Sequence, residues 1–135
     1  MPFVLDNSVL TGWYIPDQTN AYTQAIAKRL ETDRAIVPAL WQLEFANVLK
    51  TACSRGKLSP ENARAIADTI ASLPIALDPG VAPGPRQMFE LALRYQLSSY
   101  DAAYLELAMR LGLPIACQDN KLKEAATQAG VVVLI

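Results

Sequence analysis

This chain predicts an α/β fold with a mostly parallel central sheet and helices on both faces, and three observations carry the prediction. Short apolar runs recur along it: Phe3-Val4-Leu5, Ala35-Ile36-Val37, Ile75-Ala76-Leu77, Ile115-Ala116-Cys117 and Val131 to Leu134. Stretches with apolar residues at helical spacing separate these runs. The runs are apolar throughout and do not alternate with polar residues, as expected of strands covered on both faces. At 135 residues the chain is long enough for one domain, residues 1–135, and too short for two ordinary cores.

The elements follow in order. Phe3-Val4-Leu5 is a strand closed by Asp6-Asn7-Ser8, and a helix-like stretch from Val9 to Ile15 leads to a break at Pro16-Asp17. Ala21, Ala25, Ile26 and Leu30 recur at helical spacing, so a helix over 20–30 precedes the strand at 35–37. Leu40 to Thr51 forms a strong helix stopped near Gly56. Ser59-Pro60-Glu61 reads as cap, first helical position and acidic first turn of a helix running to about Ser72. After the strand at 75–77, Asp78 to Pro85 is a proline- and glycine-rich turn. Met88 to Tyr95 is amphipathic, Ser98-Ser99 interrupts it, and Tyr100 to Leu111 resumes until Gly112. A helix over 120–129 ended by Gly130 precedes the final apolar strand, 131–134.

Composition removes whole classes of chemistry. The chain has no His, which excludes Ser-His-Asp and Cys-His catalysis, imidazole bases and imidazole zinc sites. Its two cysteines, Cys53 and Cys117, are too few for a disulfide framework or thiolate cluster and read as small apolar residues in a reducing compartment. With 12 basic and 13 acidic residues the net charge is −1, so any nucleic-acid contact must be local. The hydrophobic fraction of 52% excludes disorder and hints at a partner face. No apolar run approaches the roughly 18 residues of a membrane span, so a soluble, cytoplasmic protein is expected.

In a parallel sheet, ligands gather outside the carboxyl ends of the strands. The polar residues there are acids. Asp6 follows the first strand, Asp119 lies just beyond the strand at 115–117, and Asp101 sits in the first turn of a helix behind Ser98-Ser99. Each alone reads first as a helix cap or first-turn residue, and singly none is evidence of catalysis. Glu44 is different, because its neighbours Leu40 to Leu49 are almost wholly apolar, and Trp41, Glu44 and Val48 share one stripe with Asn47 a turn away. If the four carboxylates converge, pairs about 5 Å apart repel by roughly 3 kcal/mol at an effective dielectric of about 20. A divalent cation removes that conflict, and oxygen donors favour Mg²⁺ or Mn²⁺ over Zn²⁺.

Four segments then carry a family resemblance: Val4-Leu5-Asp6-Asn7-Ser8, Trp41 to Leu49, Ser98 to Ala108, and Cys117-Gln118-Asp119-Asn120-Lys121-Leu122. In this order and spacing they resemble the PIN-domain ribonucleases, and among them the compact VapC-type toxins of toxin–antitoxin pairs. The resemblance implies a three-layer α/β/α fold and an acidic, Mg²⁺- or Mn²⁺-dependent site that cuts RNA. By position, Asp6, Glu44, Asp101 and Asp119 match the acidic quartet, Ser8 the small hydroxyl residue after the first Asp, and Asn47 the amide a turn after the Glu. Cys117 departs from the pattern, standing where many relatives carry Thr, and is the weaker hydrogen-bond former. In this reading Asp6 and Asp101 hold the principal ion, Glu44 is a ligand or orients and deprotonates water, and Asp119 completes the shell or helps a second ion. The family also implies a homodimer and a cognate VapB-type antitoxin whose C-terminal segment occupies apolar grooves.

Lys121 and Lys123 beside Asp119, and Lys50, Arg55 and Lys57 after the Glu44 helix, are candidate phosphate contacts. Trp41, Tyr100 and Tyr104 read as core aromatics before base-stacking ones, whereas Trp13 and Tyr14 suit an interface or groove. The competing function is a non-catalytic PIN-like module that binds protein or RNA. A phosphoacceptor receiver is disfavoured because it wants an acidic pair near Asp6 and a later strand-end Lys. DNA cleavage is the alternative within nuclease chemistry, since carboxylates and metal do not by themselves distinguish the 2′-OH.

Overall fold

β1 (Phe3–Leu5), β2 (Ala35–Val37), β3 (Ile75–Leu77) and β4 (Ile115–Ala116) are strands of two or three residues. They form one sheet in the order β3-β2-β1-β4 with every pair parallel, and Val4 is in register with both Ile36 and Ile115. The computed structural model describes residues 1–15, 18–81 and 83–135. The break expected at Pro16-Asp17, and Ala82 of the proline- and glycine-rich turn, lie outside the described residues.

Strand alternation divides the interior in two. Phe3, Leu5, Ala35, Val37 and Ala116 face one cluster with Val9, Leu10, Ile26, Phe45, Leu49, Ala63 and Ile70. Those residues come from α1 (Asn7–Tyr14), α2 (Ala21–Arg29), α3 (Trp41–Ser54) and α4 (Pro60–Ala71). Val4, Ile115 and Cys117 face the opposite cluster, built by α6 (Ser99–Leu111) and α7 (Asn120–Gln128), with Ile36 packed against it. Successive side chains on a strand point to opposite faces, so the apolar runs serve two layers at once and give the three-layer α/β/α arrangement. α5 (Pro85–Tyr95) packs on the outside of α6 and has no buried residue.

Local signals set most of the boundaries. The Ser59 side chain accepts the Asn62 N–H with Pro60 at the first helical position, and Gly112 ends α6 at φ 65°, a conformation that favours glycine. At Gly12 a Cβ would meet Thr23 Cγ2 at 2.5 Å, so the bare backbone lets α1 close onto α2. Two expectations are corrected. α5 begins at Pro85, ahead of the expected Met88, because the proline suits a first turn that needs no N–H there. The strand expected over 131–134 is a single parallel bridge between Val133 and Ile115, at the open side of a β4 too short to carry a longer ladder.

Candidate functional site

β1 turns its chain toward β2 on one side, and β4 enters on the other, so the sheet's topological switch lies between β1 and β4. In parallel sheets this is where ligands bind. Asp6 leaves the end of β1 and caps α1, and Asp119, just beyond β4, caps α7. Glu44 and Asp101 stand in the first turns of α3 and α6. All four acids therefore sit at helix N-termini, whose unpaired N–H groups and dipoles favour negative charge.

The hydrogen bonds differ from acid to acid. Ser8 donates from its hydroxyl to Asp6 Oδ2 at 2.5 Å and from its N–H at 3.3 Å. Ser8 Oγ also accepts the Gln118 N–H at 3.4 Å, and the Gln118 side chain donates to the Ser8 carbonyl while accepting from Asn20. Gln118 thus ties the end of β4 to the residue that holds Asp6, a link the sequence reading missed. Asp119 accepts the Lys121 N–H at 3.0 Å, and the Asp101 N–H donates to Ser98 Oγ at 3.1 Å. Tyr104, only 1% exposed, donates its hydroxyl proton to Glu44 Oε1 at 2.6 Å.

Electrostatics link the acids to one another. Burial pushes the Asp6 carboxyl up to about 6 against the hydrogen bond from Ser8, and Asp101 and Glu44 push it the same way. Glu44 is raised by burial and by Asp101, with the Tyr104 hydroxyl opposing. Asp101 is raised by burial and by Asp119. Asp6, Glu44 and Asp101 thus repel one another, and Asp101 repels Asp119. Even so, among the described residues no three Asp, Glu or Cys side chains are drawn together tightly enough to hold a metal ion as they stand. Cys117, fully buried with its thiol pushed up to about 12 by burial and Asp6, stays protonated and belongs to the core, as its apolar reading expected.

The remaining candidates separate by exposure. Trp41, Glu44 and Val48 are all half-buried, as one stripe requires, and Trp41 stacks on Phe45. Asn47 is exposed, as is Lys121, whereas the Lys123 ammonium lies over the Tyr22 ring, 5.6 Å from its centroid. Arg55 ends α3 roughly 16 Å along the axis from Glu44 at 1.5 Å per residue, which separates it from the acids. Tyr104 is core, as its reading favoured, yet its hydroxyl faces the acids; Tyr100 is exposed beside Asp101. Trp13 and Tyr14 line a groove with Leu30 and Leu73. A larger apolar groove of about 840 Å³ runs between α5 and α6, from Phe89 and Leu93 to Ser99 and Tyr100.

The chain is similar to known proteins. Ribonuclease VapC1 of Mycobacterium tuberculosis is 33% identical over 89 residues, which are 65% of this chain and 65% of that protein. Ribonuclease VapC3 of Pyrobaculum aerophilum is 26% identical over 125 residues, 92% of this chain and 94% of that protein. The crystal structure of PAE2754 from Pyrobaculum aerophilum has a TM-score of 0.69 at 21% identity, covering 98% of this chain and 83% of its own. That of FitAcB from Neisseria gonorrhoeae has a TM-score of 0.65 at 16% identity, covering 100% and 97%. At these identities the two structures speak to the fold. The family model of the PIN domain matches residues 3–128, from the first strand to the last helix, and the chain belongs to the PIN domain family.

Proposed function

We propose that this protein is a metal-dependent endoribonuclease, the toxin of a toxin–antitoxin pair, acting in the cytoplasm as a single domain. The observation that carries the reading is the electrostatic linkage of Asp6, Glu44, Asp101 and Asp119 at four helix N-termini around one switch point. The two relatives named as VapC ribonucleases support it. The donor set fits Mg²⁺ or Mn²⁺, because it is all oxygen and because a cation would favour the ionised form of a carboxyl raised by burial and by the acids beside it.

Asp6 and Asp101 would hold the principal ion, with Glu44 as ligand or water-orienting base and Asp119 completing the shell or serving a second ion. Held there, such an ion would supply Lewis-acid chemistry, polarising the phosphate and lowering the pKa of water. Ser8 fixes the Asp6 carboxylate, and Ser98 fixes the turn that presents Asp101. Asn47, exposed one turn from Glu44, would support it from the helix surface, and exposed Lys121 would meet the RNA backbone ahead of Lys123. We further propose that the apolar face of α5 is covered by a second copy of the chain, since its flanking Arg86, Glu90 and Arg94 and the Asp78-Arg110-Glu106 network mix both signs and would not repel a copy. The Trp13-Tyr14 groove would take an apolar segment of a VapB-type antitoxin.

The test is cleavage of mixed transfer, ribosomal and messenger RNA by antitoxin-free protein with Mg²⁺, Mn²⁺ or chelator. Metal-dependent cutting is expected, and the Asp101→Asn protein should not cut. The second reading, a non-catalytic protein- or RNA-binding module, draws support from the open spacing of the acids. Absence of saturable Mn²⁺ binding and of cutting by folded protein would favour it.

A further inference from the structure

α6 delivers two groups to the acidic site. Asp101 stands in its first turn, and Tyr104 follows three residues later, so both lie on the same side of the helix. Tyr104 is fully enclosed by the core cluster of α6 and α7 and packs with Val4, Leu105 and Leu107, yet its hydroxyl leaves that cluster to reach Glu44 Oε1 at 2.6 Å. The partner residues are 60 positions apart and belong to different helices. A buried hydroxyl without a partner is costly, so the core has been built to bring this one to the carboxylate.

We infer that Tyr104 is a positioning residue for Glu44: its hydroxyl anchors one carboxylate oxygen and leaves the other turned to the ion or water of the acidic site. This rests on the nuclease reading above. A glutamate has three rotatable side-chain bonds, and Glu44 is only half-buried, so packing alone does not fix its head group. Fixing it beforehand spares the rotamer entropy that metal capture would otherwise spend. The anchoring ring is itself immobile, because it is locked in the core. Tyr104 touches neither metal nor substrate in this scheme and acts through Glu44 alone.

The probe is Mn²⁺ binding to RNA-free protein, with RNA cleavage read in parallel. Tyr104→Phe keeps the ring and removes only the hydroxyl. It should weaken Mn²⁺ binding by about tenfold, the low end for loss of an outer-shell partner, and lower kcat with little change in the KM for RNA. In a Glu44→Gln background the same substitution should add nothing further. Wild-type Mn²⁺ affinity in Tyr104→Phe overturns the inference while leaving the nuclease reading intact. So does an equal loss in the Glu44→Gln background, which would mean the hydroxyl acts through the fold. If wild-type protein neither binds Mn²⁺ nor cuts RNA while Asp101→Asn behaves identically, the nuclease reading itself fails and takes this one with it. Thermal melting of each variant separates any folding defect from these outcomes.

Discussion

α5 and α6 are neighbouring helices of similar length, 11 and 13 residues, and both carry an apolar stripe. α6 buries Ala102, Tyr104, Leu105, Leu107 and Ala108 between the sheet and its neighbours. α5 buries nothing, and Phe89 and Leu93 remain 60% and 62% exposed. The same periodic signal therefore marks two different situations, a stripe buried within the chain and a stripe that packs on α6 through Met88, Leu91 and Ala92 while Phe89 and Leu93 stay exposed. Amphipathicity states that a face will be covered and says nothing of what covers it.

The comparison breaks most sharply at the head of α6. Asp101→Asn should reduce RNA cleavage to the assay background while the melting temperature stays near wild type; retained cleavage by folded protein would remove α6 from the site. Further along the same helix, Leu105→Ala should destabilise the protein by about 2–5 kcal/mol in urea unfolding, since its side chain is fully buried.

The next effect belongs to the acids and has a definite sign. The Asp6 carboxyl is raised from 3.8 to about 6 in the folded chain, so between those values the folded state binds more protons than the unfolded one. Metal-free protein should lose stability as pH rises from about 4 to 6, by at most about 3 kcal/mol from this group. The chain has no His to blur that window. Denaturant unfolding at several pH values should show the slope, Asp6→Asn should reduce it to what the raised Glu44 and Asp101 carboxyls add with the same sign, and saturating Mn²⁺ should reverse it because the ion binds the ionised form.

On α5 the expectation inverts. Phe89→Ala with Leu93→Ala should change monomer stability by less than about 1 kcal/mol, because neither side chain is buried, while light scattering shifts from dimer to monomer. A wild-type protein that is already monomeric would show that the stripe serves another partner. The smallest effect is at Lys121. Lys121→Ala should reduce the salt dependence of RNA binding by about 0.7 in log-log slope, and Lys123→Ala by less, since its head group already rests on Tyr22.

Much of this fold was legible because its signals are local. Asp6, Ser59 and Gly112 mark helix ends by their own chemistry, and the runs at 3–5, 35–37 and 75–77 are strands as read. The run at 131–134 misled because apolar content shows that a segment is buried and not that a neighbouring strand is long enough to pair with it. The acids were legible as residues following strands or opening helices. What escaped was every contact between distant segments: the hydroxyl of Tyr104 on Glu44, and Gln118 joining Ser8 and Asn20. Those pairings depend on how helices pack, and no spacing within either segment encodes them.

The pairing of β1 with β4 joins Val4 to Ile115, almost the full length of the chain. Such contacts form late and slowly, because a long loop must close before they give anything back. On the ribosome, Asp6 and Glu44 emerge when only β1 and β2 have been made, and Asp101 and Asp119 follow with α6 and β4. A chain interrupted before residue 115 has no β4 and no switch point, and of the four acids it lacks Asp119. For a protein proposed to cut RNA, that order would leave the acidic site incomplete until β4 and α7 have been made.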